Sequence, residues 1–180
     1  MPSQPAKEQV LDASGALQGH PGLSLKEIAG DGLWSIQSSR TLRLESFARI
    51  VFNQDAKIGT MLEAPGLRLI QFAPNKAYLF SDQFQFPARA LDFEAIATDI
   101  SHAFCQLALS GNDSLEFLNA YTMVDLEDET ITAARCVRTR FGQYAITLWW
   151  DSLSEIHILV DRSLARSLGS YLHTLSTRWF

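Results

Sequence analysis

Residues 135–150, RCVRTRFGQYAITLWW, constrain the fold more than any other stretch of this chain. Gly142 divides it into two runs of strand-forming residues, so it reads as a β-hairpin. In the second run Tyr144, Ile146, Leu148 and Trp150 share one face, and Ala145, Thr147 and Trp149 share the other. A strand with large apolar groups on both faces must be covered on both, by its own domain or by a partner. With 180 residues, 47% of them hydrophobic, the chain can build such a layered core by itself.

The rest of the chain supplies candidate layers. Residues 23–28 and 33–37 are strand candidates around the turn signal Ala29-Gly30-Asp31-Gly32. Leu42, Phe47, Ala48, Ile50 and Val51 predict a helix, and 67–72 with 77–80 a hairpin around Ala73-Pro74-Asn75-Lys76. A short helix is expected from Pro87 through Phe93. Residues 96–100 and 103–109 read as a strand pair that runs into a break at Ser110-Gly111-Asn112. Asp113 is placed to cap the next helix, with Glu116 in the capping-box position and Leu115, Leu118 and Tyr121–Thr122 at helical spacing, Phe117 flanking them. Ile156, Ile158 and Val160 continue the sheet. A last helix over 163–175 carries the stripe Leu164, Leu168, Tyr171, Leu172 and Leu175.

The order is β-β-α-β-β, a small helix, then β-β-α-β-β-β-α, which argues an α+β fold whose second half echoes its first. Identity between the halves is too weak to define a repeat. Residues 1–22, rich in proline and glycine, are expected to form a mobile arm, and 23–180 a single domain.

Net charge is −5 and the basic residues do not cluster, which disfavours nucleic acid. No apolar run approaches the roughly 18 residues that span a membrane, and the N-terminus has no secretory core, so a cytoplasmic protein is expected. The chain lacks dinucleotide, phosphate-loop, nucleophile-elbow and zinc-protease signatures. Cys105 and Cys136 have no zinc-spaced neighbours, and His20, His102, His157 and His173 stand on four separate segments. Neither a catalytic group nor a metal ligand is assigned. Cys105, on an alternating strand, is expected in the core.

Three residues remain as site candidates. Asp99 lies in an apolar-rich strand, where a carboxylate needs a partner. It is either a ligand-handling group or, the reading favoured here, an acceptor of backbone N–H groups at a bend, with Ser101. Arg138 and Arg140 share a strand face and could clamp a carboxylate tail such as that of a folate. The favoured reading pairs them with the acidic connector Asp125, Glu127, Asp128 and Glu129, itself read as a solvated face.

The order Asp99-Ile100-Ser101-His102, Leu109-Ser110-Gly111-Asn112-Asp113, Phe117-Leu118, Asp125-Leu126, the hairpin at Arg138-Thr139-Arg140-Phe141-Gly142, and Val160-Asp161-Arg162-Ser163-Leu164-Ala165 followed by Leu168 resembles the glycine-cleavage T-protein superfamily. Within it, the ending and the length resemble the sarcosine oxidase gamma subunits. Ala103-Phe104-Cys105 departs from the glycine and basic residue common there in the T-protein branch. The resemblance implies two related, intertwined halves like the aminomethyltransferase folate-binding domain. It implies a noncatalytic gamma-type subunit of a heterotetrameric, sarcosine oxidase-like flavoenzyme acting in oxidative demethylation. Its partners would be alpha, beta and delta subunits, and FAD, FMN, NAD and tetrahydrofolate would be held by the complex and none by this chain. The bracing surface would expose aromatics such as Trp149 or Trp179. An independent folate-binding aminomethyltransferase-like module, or a homo-oligomer of the isolated chain, are the alternatives.

Overall fold

A computed structural model describes residues 15–16, 20, 22–28, 31–38, 41–82 and 95–179. The helix expected over 87–93 and most of the N-terminal arm lie outside the described residues. The central hairpin forms as expected: β9 (Cys136–Phe141) and β10 (Tyr144–Ser152) pair antiparallel with Phe141 opposite Tyr144. Gly142 takes a φ of 55° in the two-residue loop, where glycine meets no steric cost. Next to β10 lies β11 (Glu155–Asp161), then β8 (Phe104–Ser110), β2 (Ser24–Glu27) and β1 (Gly15–Ala16), completing a six-stranded sheet. The second sheet has five strands, in the order β4 (Met61–Ala64), β5 (Leu67–Ala73), β6 (Lys76–Ser81), β3 (Gly32–Ser38) and β7 (Ala95–Asp99).

The two sheets have one plan. Each is a three-strand meander (β4-β5-β6 or β9-β10-β11) followed by a central strand (β3 or β8). Each ends on a strand from the other half: β7 joins β3, and β2 joins β8. The echo in the sequence is therefore a real duplication of architecture with an exchanged strand, and the α+β expectation holds. The expected pairing of 96–100 with 103–109 does not. The two segments are consecutive in sequence but belong to different sheets, because β7 finds its partner in Trp34–Ser38 instead.

The sheets pack face to face, with helices outside. Leu33, Met61, Ile70, Tyr78 and Phe80 of one sheet meet Cys136, Trp149 and Leu159 of the other. On the outer face of the five-stranded sheet, Trp34, Ile36, Leu69 and Leu79 pack under α1 (Thr41–Phe52), through Leu44, Phe47, Ala48 and Val51. On the outer face of the six-stranded sheet, Ile146, Leu148, Trp150, Ile158 and Val160 pack under α2 (Ser114–Asn119) and α4 (Arg162–Ser176). The doubly apolar strand is thus covered on both sides by its own chain. Trp149, expected on a bracing surface, is 1% exposed, and Trp179 packs edge-on against Phe117, their centroids 5.6 Å apart.

Two local expectations need correction. In α4, Ala165 and Gly169 are buried beside Leu168, Leu172 and Leu175, while Leu164 (41% exposed) and Tyr171 (36%) flank the contact. In α2, Phe117 is fully buried, at the centre of an aromatic group with Tyr121, Phe141 and Trp179, whereas Leu115 is only partly covered. The acidic connector is exposed as expected. Its Asp128 accepts the Thr130 N–H at 2.8 Å and starts α3 (Glu129–Ala134), which the sequence reading had not anticipated.

Four charges tie the sheets at one margin. Glu63 accepts from Arg68 at 3.1 Å and from Arg135 at 2.7 Å, and Asp151 from the same two arginines at 3.3 and 3.4 Å. Arg135 reaches this position from a left-handed backbone, φ 58°, that ends α3.

Candidate functional site

The segment that identifies the resemblance, 99–111, is a crossing between sheets. Asp99 Oδ1 accepts the Ser101 N–H at 2.9 Å and its hydroxyl at 2.6 Å. The buried Ser101 Oγ in turn accepts the N–H of Leu33 at 2.8 Å. This bend ends β7 and sends the chain into β8. The Asp99–Ser101 bonds agree with the favoured reading of Asp99. At the other end Gly111 takes a φ of +138° against the Gly22 carbonyl, and its N–H donates to Ser154 O at 2.8 Å. Asp113 stands at the N-cap position of α2 but makes no side-chain capping bond. Its carboxylate lies 3.6 Å from His20 instead, a correction to the expected capping box.

Arg138 and Arg140 lie on the other sheet. Both are exposed on the face of β9 that looks toward the five-stranded sheet. The Arg138 guanidinium sits 4.7 Å from the centroid of Phe72 and 5.8 Å from that of Tyr78, and its Nη1 donates to the Tyr78 hydroxyl at 3.1 Å. Phe72, Tyr78 and Phe104 form a row of tilted ring contacts there, with centroids 4.6 and 5.7 Å apart. Arg140 donates to the Gln143 carbonyl at 3.2 Å. Neither arginine pairs with the acidic connector, contrary to the favoured reading. A strand edge fixes Arg138 over the aromatic residues of β5 and β6, on the far side from α3. Asp99 does not join this pair. Its register opposite Trp34 places it on the α1 face of the five-stranded sheet, whereas Arg138 leans on the opposite face.

Phe72, Tyr78 and Phe104 were missed as functional neighbours. Their spacing in sequence carries no signal, and only the packing of one sheet on the other brings them to Arg138.

Between the sheets, burial shifts the titratable groups toward their neutral forms. Trp149 stacks on His157 at 5.2 Å and 11°, and burial holds the His157 imidazole below its ordinary value against the opposing pull of Glu155. Burial pushes the Cys136 thiol up to about 12 despite the adjacent Arg135 charge, leaving no thiolate for nucleophilic work at neutral pH. Cys105 is buried in the core as expected. Among the described residues no three histidine, cysteine or acidic side chains gather as a metal site, and no helix is long and apolar enough to cross a membrane.

This architecture, two stacked sheets that exchange a strand and carry helices on their outer faces, is a known α+β class. It is found in a chain of heterotetrameric sarcosine oxidase from Corynebacterium sp. U-96, solved in complex with pyrrole 2-carboxylate. That chain superposes with a TM-score of 0.72 at 19% identity, covering 87% of this chain and 84% of that one. The glycine cleavage system aminomethyltransferase T from Bartonella henselae shares it too, with a TM-score of 0.55 at 16% identity, covering 82% of this chain but 44% of the transferase. The likeness at these identities is one of fold. No protein-family model and no curated protein sequence matches the chain.

Proposed function

We propose that this chain is a noncatalytic, gamma-type subunit of a heterotetrameric, sarcosine oxidase-like flavoenzyme. The observation that carries the reading is the reciprocal coverage. A chain of sarcosine oxidase is matched over 84% of its length by 87% of this one, so the two are of similar size as well as similar fold. The aminomethyltransferase, by contrast, is more than twice the matched length. The interior of the fold supports the same reading: both cysteines are buried, and the candidate arginines stand on an edge. In this proposal FAD, FMN, NAD and tetrahydrofolate are bound by alpha, beta and delta partners.

Co-expression with sarcosine oxidase-type alpha, beta and delta chains tests it. The expected outcome is stoichiometric co-purification, with flavin absorbance in the complex and none in the isolated chain. Failure to associate with any of them would overturn the reading. Tetrahydrofolate binding by the lone chain would favour the alternative of an independent folate-binding module.

A further inference from the structure

We infer that the outer edge of β9, centred on Arg138 and Arg140, is the docking edge for an extended, carboxylate-bearing segment of a partner subunit. The inference rests on the subunit reading above and names the surface through which it operates.

Three observations converge on this edge. The first is an interrupted ladder. β9 is the last strand of its sheet, and isolated bridges close its outer side at both ends, Thr60 to Arg135 and Thr122 to Phe141. Residues 137–140 between them have no strand neighbour on that side among the described residues. The two-residue loop makes Phe141 and Tyr144 a directly hydrogen-bonded pair, so odd-numbered residues of β9 bond to β10. The Trp150 N–H donating to Arg135 O at 3.1 Å agrees with that parity. The backbone N–H and C=O of Arg138 therefore point outward, as groups that a bound strand would satisfy.

The second is uncompensated charge. On a chain of net charge −5, Arg138 and Arg140 are two exposed cations with no carboxylate within ion-pair distance among the described residues. Arg68 and Arg135 nearby show the contrast, since each is held by two carboxylates. The third is orientation. Phe72 and Tyr78 fix the Arg138 guanidinium without neutralising it and leave the rest of its N–H fork for a carboxylate. An open strand edge with two same-face cations selects an extended segment that places acidic side chains two residues apart.

The test compares capture by the co-expressed alpha, beta and delta chains. The proteins are the wild type, the double variant R138E/R140E, and the control K26E/R178E, which reverses two exposed cations elsewhere. Capture of the double variant is expected to fall about tenfold or more, with the control unchanged and the wild-type interaction weakening as salt rises. R140E alone, whose side chain touches only its own turn, supplies the reading if the double variant loses its thermal transition. Equal capture of wild type and variants would overturn the docking edge and leave the subunit reading standing. No capture of the wild type would overturn both. A homodimer of the lone chain abolished by R138E/R140E would assign the edge to a second copy and overturn the partner proposed here.

Discussion

A β-carbon added at Gly111 would lie 1.8 Å from the Gly22 carbonyl oxygen, in a backbone with φ of +138° that side chains rarely adopt. The obstacle is main chain on both sides, so no rotamer relieves it. Gly111→Ala is expected to cost about 2 kcal/mol or more, read as a lowered urea midpoint with unchanged slope. The same contact explains why Ser110-Gly111-Asn112 could be recognised as a break but not understood from sequence. The residue that demands the glycine is Gly22, in the turn that leads into β2 of the other half. Asp99 was more legible, because a carboxylate two residues before a serine forms its bonds locally. Arg138 was not, because its partners are Phe72 and Tyr78, more than fifty positions away and joined to it only by sheet stacking.

Among the elements, α4 depends on how it begins. Asp161 accepts the Ser163 N–H at 3.0 Å and so satisfies one of the unbonded donors of the first turn. Asp161→Ala is expected to lower stability by about 1 kcal/mol, measured by chemical denaturation, with near-native circular dichroism before the transition. The stripe of α4 and the hairpin at Gly142 were readable because both are local: period 3.6 in one, period 2 about a glycine in the other. Three elements escaped: β1, two residues inside the stretch expected to be a mobile arm, β4 and α3. β4 is four residues between turns, too short to show alternation, and α3 reads as acidic loop until Asp128 is seen to cap it. Which strand pairs with which was least legible. β7 and β8 adjoin in sequence, and nothing in Ile100-Ser101-His102-Ala103 announces a change of sheet.

At the scale of the molecule, the cluster of Glu63 and Asp151 with Arg68 and Arg135 clasps the two sheets. The hydrogen bond from Arg135, aided by Arg68 and opposed by partial burial, holds the Glu63 carboxyl below its ordinary value of 4.5. Because the folded state prefers the ionised form, this contribution is present above 4.5 and is lost as pH falls through the lower folded value. Glu63→Gln is therefore expected to be less stable than wild type at neutral pH, by about 1 kcal/mol or less given solvent screening. The difference should close on acidification below 4.5, followed by thermal melts across pH. The exchanged strands bear on how the chain is made. The ribosome delivers β3 through β6 before β7 exists, and β2 must wait for β8. The first half emerges with an empty lane in its sheet and a spare strand at its end. The five-stranded sheet stays incomplete until β7 has emerged, and two nascent copies held close together could each fill the vacancy in the other.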